Sequence, residues 1–200
     1  CGSDRWSARA PCTGPDAPYP AMGESVLARA GLTFRLDSEA ILKARAGVIA
    51  CCWRDLGPDS LLVGLRGELG AGKTTWVRGM LEGLGYPGRV PSPTYTLVEH
   101  YALGTITVVH VDLYRLTASG EPADALELES LGLRDWLAQS RTWLLVEWPE
   151  RAPALAARCD LTIGIEFAGA EGRTVHLQSR SAAGELALKG LAEGAEVHSS

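Results

Sequence analysis

Eight consecutive residues, Gly67-Glu68-Leu69-Gly70-Ala71-Gly72-Lys73-Thr74, constrain this chain more than any other stretch. They fit G-x-x-x-x-G-K-[ST], in which glycines let backbone N–H groups turn inward around an anion. In that pattern the lysine reaches the outer phosphates of a triphosphate and the hydroxyl ligates Mg²⁺, so the phosphate-holding set is Leu69, Gly70, Ala71, Gly72, Lys73, Thr74 and Thr75. A strand must precede the loop and a helix must follow it, so that the helix N-terminus faces the phosphates. Leu61 to Leu65 is a short apolar run of buried-strand type, and Val77, Met80, Leu81 and Leu84 recur at helical spacing before Gly85 and Pro87. Of 19 basic residues only Lys43, Lys73 and Lys189 are lysines. A chain that otherwise uses arginine keeps a compact ammonium where a point charge suits phosphate. The Lys73 side chain is expected to be solvated when no ligand is bound.

Composition narrows the classes. With 200 residues and 46% hydrophobic content, the chain suits one globular domain with a tail. A net charge of −5 argues against a free-standing nucleic-acid binder, which carries a basic face. No apolar run approaches the ~18 residues of a membrane span, and the beginning lacks an apolar h-region, which reads as a cytoplasmic protein without membrane contact. The cysteines (Cys1, Cys12, Cys51, Cys52, Cys159) and histidines (His100, His110, His176, His198) show no zinc-ligand spacing and read as reduced thiols and ordinary imidazoles.

Residues 1–30, proline-bearing and aperiodic, read as a disordered leader, with Met22 as a candidate functional start. The domain is expected over 31–180, with 181–200 as a short helix and flexible tail. Leu32, Phe34 and Leu36 alternate as a strand, Asp37 or Ser38 can cap the next helix, and Ile41, Ala44, Val48 and Cys52 predict its buried stripe. Tyr95–Tyr101 and Thr105–Leu113 read as a hairpin. Residues 117–124 read as a loop, and Ala125–Leu137 as one helix or two split at Gly132, with Leu126, Leu128, Leu131 and Leu133 partly buried. Thr142–Glu147 is a buried strand, and Leu161–Phe167 with Thr174–Gln178 a final hairpin.

Hydrolysis needs a metal clamp and a group that positions water, and carboxylates at core strand ends face a phosphate loop. Glu147 closes the run LLVE, where a Mg²⁺-directed acid is expected, against the alternative of a strand-end glutamate meeting solvent. Asp112 orients water or the metal shell, or else pairs with Arg115. Thr94, after a proline, either senses the terminal phosphate or stabilises a turn. Trp148 beside Glu147 reads as packing and as a fluorescence reporter.

The blocks GELGAGKTT, SPTYTLVEHY, HVDLYRL, ELESLGLRDWL and LLVEWPE, in this order and spacing, closely resemble the bacterial TsaE (YjeE) family over about Leu32 to Leu177. The resemblance implies an α/β, P-loop NTPase-like fold: a mostly parallel central sheet with added antiparallel hairpins and helices on both faces. It implies ATP with Mg²⁺, and a weak ATPase stimulated by the synthase partners TsaD and TsaB, which make N6-threonylcarbamoyladenosine at adenosine 37 of tRNAs reading codons that begin with A. tRNA would then be contacted indirectly, through the complex. Carried over by motif, Lys73 and the loop glycines hold phosphate, Thr74 and Glu147 hold Mg²⁺, and Asp112 and Thr94 fall in blocks the family needs for activity. Ser38, opening the early helix, falls near the family's adenine pocket, and Arg173 in the last hairpin flanks the nucleotide. The leader and the longer 117–124 segment depart from the family pattern.

Two other functions compete. A small-molecule P-loop kinase would require clustered arginines in a lid and an acceptor pocket, and the sequence shows neither. A nucleotide-gated interaction module with incidental hydrolysis differs only in whether turnover is required.

Overall fold

A computed structural model describes residues 31–116 and 125–197. The leader, the segment 117–124 and the side chain of Leu126 lie outside the described residues. One seven-stranded sheet has the order β1-β7-β6-β2-β5-β4-β3. Its centre is parallel: β2 (Leu61–Arg66) lies between β5 (Thr142–Glu147) and β6 (Leu161–Ala168), and β4 (Ile106–Asp112) follows β5. Antiparallel hairpins complete both margins, β3 (Val98–Leu103) with β4, and β6 with β7 (Gly172–Ser179), which also pairs β1 (Gly31–Leu36). This is the P-loop α/β arrangement expected from the resemblance. The all-buried pattern of β5 and the near-continuous burial of β2 follow from cover on both faces.

On one face, α1 (Glu39–Leu56), α2 (Lys73–Gly83) and α6 (Ala182–Val197) enclose a core that includes Leu42, Trp53, Trp76, Met80 and Trp143. The Trp53 and Trp143 rings meet edge to face at 5.9 Å, and Trp53 Nε1 donates to the Ala187 carbonyl at 3.2 Å. On the other face α3 (Ala125–Ser130), α4 (Leu133–Ala138), a 3-10 turn at Pro149–Arg151 and α5 (Pro153–Ala156) cover a second core around Leu62, Val109, Val111 and Leu144.

Several local expectations shift. The buried face of α1 is Leu42, Ala46, Ile49, Ala50 and Trp53, not the stripe through Ile41, Ala44, Val48 and Cys52. Ile41 is exposed. Both stripes share the helical period, and the wider one wins because Leu42 and Trp53 offer more area to bury while Ala46 and Ala50 admit close approach. The first hairpin strand starts at Val98 rather than Tyr95, because residues 94–96 form a turn and Leu97 takes φ 63°. Gly132, at φ 64°, divides α3 from α4. The segment after Ser181 is a sixteen-residue helix, with Ala187, Leu188 and Leu191 in the core. Cys51 donates its thiol to the Gly83 carbonyl, and burial pushes the Cys159 thiol up to about 11.

Glycines set the spacing between α1 and α2. A Cβ on Gly83 would lie 2.5 Å from the Gly47 Cα, and one on Gly79 would overlap the Lys43 carbonyl oxygen. The two backbones therefore touch where side chains would normally intervene, and Lys43 and Glu82 pair at 2.7 Å above the contact. In an open helix Gly→Ala gains about 1 kcal/mol. Here the sign reverses: Gly79→Ala should destabilise by about 1–3 kcal/mol, the usual cost of overpacking. A thermal melt should show a fall of roughly 2–4 °C per kcal/mol, and an unchanged or raised midpoint would show that α1 and α2 separate at no cost.

Candidate nucleotide site

The loop between β2 and α2 lies at the carboxyl end of the parallel strands, the edge at which α/β sheets bind ligands. Its glycines carry the turn: Gly67, Gly70 and Gly72 have φ of 144°, 78° and 112°. A Cβ on Gly67 would strike the Ile165 carbonyl, and one on Gly72 would sit 2.6 Å from Leu42 Cδ2, so the loop is pressed onto β6 and α1. Leu69 projects outward, 70% exposed. Arg173 braces the loop from β7, donating from Nε to the Ala71 carbonyl at 2.8 Å while its guanidinium stacks 4.4 Å from the Phe167 ring.

Lys73 is not solvated. Only 4% of it is exposed, and Nζ donates to the carbonyls of Gly67 at 2.7 Å and Glu68 at 2.9 Å. It also sits 3.7 Å from the centroid of the Trp148 ring. The expectation of a free ammonium fails because the loop's own carbonyls and an indole supply the partners that water would. Trp148 therefore does more than pack. Its backbone takes φ 60°, an uncommon conformation for a bulky residue, held by a 3.2 Å bond from its N–H to the Leu65 carbonyl. Burial lowers the Lys73 pKa from its ordinary 10.5, partly offset by Glu147, Glu150 and Asp112.

Thr74 opens α2 beside Lys73 and donates from Oγ1 to Glu147 Oε1 at 2.8 Å. Glu147 is 3% exposed, so it does not meet solvent at the strand end. The same oxygen lies 2.8 Å from His110 Nε2, a contact that the sequence reading of His110 does not foresee. Asp112 stands opposite Glu147 in the β4–β5 register. It accepts from Thr94 Oγ1 at 3.1 Å, Ser92 Oγ at 3.3 Å and the Tyr114 N–H at 2.9 Å. The Arg115 guanidinium instead lies 4.5 Å from the Tyr95 ring. Lys73, Thr74, Glu147, Asp112 and Thr94 thus converge, with Ser92 as an unforeseen member.

Two further sequence candidates make structural contacts. Ser38 caps α1, accepting from the Ile41 N–H at 3.3 Å, and Thr75 Oγ1 donates to Glu39 Oε1 at 2.9 Å, tying α2 to the first turn of α1. The donor set suits magnesium. A hydroxyl and a carboxylate are hard oxygen ligands, too few for an all-protein cage but right for an ion that keeps phosphate oxygens and water. No cluster of three or more His, Cys, Asp or Glu able to hold a metal occurs among the described residues.

The family model described as "Threonylcarbamoyl adenosine biosynthesis protein TsaE" matches residues 37–175, a range that includes every residue named in this site. The chain belongs to the TsaE family. The tRNA threonylcarbamoyladenosine biosynthesis protein TsaE of Haemophilus influenzae is 44% identical over 108 residues, covering 54% of this chain and 64% of that protein. TsaE of Bacillus subtilis is 36% identical over 111 residues, 56% of this chain and 65% of that protein. The matched region thus spans just under two thirds of these TsaE relatives. The crystal structure of Bacillus subtilis YdiB superposes with a TM-score of 0.61 at 27% identity, covering 82% of this chain and 95% of that one.

The lowered Lys73 pKa has a stability consequence. The folded state disfavours the ammonium, so the parent gains stability as pH rises from the folded pKa toward 10.5. Lys73→Met removes that dependence. Its melting midpoint relative to the parent should be highest near neutral pH and should decline over that window. A constant difference across the pH range would show that Lys73 titrates normally.

Proposed function

We propose that this chain is a Mg²⁺-dependent ATPase that works in the cytoplasm with TsaD- and TsaB-like synthase partners, in N6-threonylcarbamoylation of tRNA. The observation that carries this reading is the 2.8 Å bond between Thr74 Oγ1 and Glu147 Oε1 at the mouth of the glycine loop. It brings together the two hard oxygen ligands that a nucleotide-bound Mg²⁺ requires, at the N-terminus of α2. Membership of the TsaE family supports the pathway.

Each residue then has a physical task. The N–H groups of Gly70, Gly72, Lys73 and Thr74 would cradle phosphate, while the Ala71 N–H closes the loop on the Glu68 carbonyl at 3.1 Å, and Lys73 would exchange its two loop carbonyls for phosphate oxygens. Thr74 and Glu147 would hold Mg²⁺, which when bound neutralises charge between the outer phosphates. Asp112, fixed by Thr94, Ser92 and the Tyr114 N–H, presents a carboxylate on the same sheet edge and orients the attacking water. Thr94 is linked to that acid by one hydrogen bond, so displacing it toward a terminal phosphate would couple nucleotide state to the 92–97 turn. Arg173 supports the loop from outside. Trp148 shields Lys73 from water. tRNA is reached through the partners, a reading that the net charge of −5 favours over direct binding.

Glu147→Gln keeps the size of the side chain and loses the charge. Nucleotide should still bind through the loop and Lys73, each charge-assisted contact contributing roughly 1.5–3 kcal/mol, with weaker dependence on Mg²⁺. Partner-stimulated hydrolysis and multi-turnover tRNA modification should both fall by at least tenfold, read by phosphate release and by nucleoside analysis. Parental hydrolysis in this variant would remove Glu147 as the essential acid. Full multi-turnover modification with a non-hydrolysable ATP analogue would instead favour a nucleotide-gated module.

A further inference from the structure

His110 is completely buried, and Nε2 lies 2.8 Å from Glu147 Oε1, the oxygen that also receives the Thr74 hydroxyl. Strand alternation puts it there. Val108, His110 and Asp112 share the face of β4 that looks toward α1 and α2, while Val109 and Val111 enter the opposite core. The register partner of His110 is Leu145 and that of Asp112 is Glu147, so the imidazole reaches Glu147 along the diagonal of the β4–β5 pair. The other ring nitrogen, Nδ1, is buried without a partner among the described residues.

A histidine present for packing alone would be a poor choice. An apolar side chain of similar size would fill the space without leaving a nitrogen unsatisfied. Among the described residues the only hydrogen bond the ring makes is to Glu147. As an ionised ligand Glu147 can only accept, so Nε2 carries the proton and donates.

We infer that His110 is a positioning residue: its Nε2–H pins Glu147 Oε1 beside Thr74 and so sets the orientation of the carboxylate that would hold Mg²⁺. Donors behind a metal ligand characteristically fix its direction and strengthen its affinity. The inference deepens the proposed function and rests on it.

The test reads nucleotide affinity rather than turnover. Calorimetric titration with ATP analogue is run once with Mg²⁺ and once with EDTA, and the Kd in EDTA divided by the Kd in Mg²⁺ reports how well the protein holds the ion. His110→Leu should lower that ratio about tenfold, the low end for loss of such a partner, while leaving the EDTA affinity unchanged. His110→Gln, which can still donate from a side-chain nitrogen, should recover most of the ratio. A parental ratio in His110→Leu would overturn the inference, as would an equal loss in both variants, which would assign His110 to packing. If the unsubstituted protein itself binds nucleotide without regard to Mg²⁺, the proposed function fails along with it. ¹⁵N-histidine NMR of the unsubstituted protein decides the matter even should His110→Leu not fold. It should show a proton on Nε2, and a ring protonated only at Nδ1 contradicts the inference.

Discussion

A carboxylate enclosed almost completely at the end of a central strand is expensive unless donors are fixed around it. Glu147 has them from separate parts of the chain: a hydroxyl from the first turn of α2 and an imidazole from the middle of β4. The Lys73 ammonium stands close enough to exert an electrostatic effect. None of these groups is near Glu147 in sequence. They meet because β2, β5 and β4 run parallel and adjacent, so that a loop leaving β2 passes over the ends of its neighbours. The parallel centre of the sheet is the condition for the site, and the antiparallel margins are additions to it.

Glycines far from the chemistry share in that geometry. Gly47, Gly79 and Gly83 let α1 and α2 touch backbone to backbone, and Leu42 of α1 presses on Gly72 at the base of the phosphate loop. Thr75 and Glu39 close the same seam near the loop. The position of the α2 N-terminus, and with it the direction of Lys73 and Thr74, therefore depends on how closely two helices pack.

Much of this was legible in the chain. The loop pattern, the two apolar strands and the acid ending LLVE placed Lys73, Thr74 and Glu147 together before any coordinates, because local spacing and strand ends carry that information directly. What stayed hidden was long-range. The bond from His110 to Glu147 spans 37 residues and rests on a diagonal between neighbouring strands, which no single window of sequence displays. The α1 stripe differs from the sequence expectation because Ile41 and Leu42 are both apolar, and the area that Leu42 and Trp53 bury against the neighbouring elements decides which face turns inward. Ser38 caps α1 as its position before the helical run predicts, whereas the bond from Thr75 to Glu39 joins two helices that the sequence does not show to be neighbours.

The resting arrangement of Lys73 makes entry to the site a competition. Its ammonium already holds two carbonyl oxygens and the face of an indole, so a newcomer gains only the difference between its own attraction and theirs. Self-occupation of this kind raises the threshold that any incoming anion must pass, and the threshold is set by two carbonyls and one aromatic face.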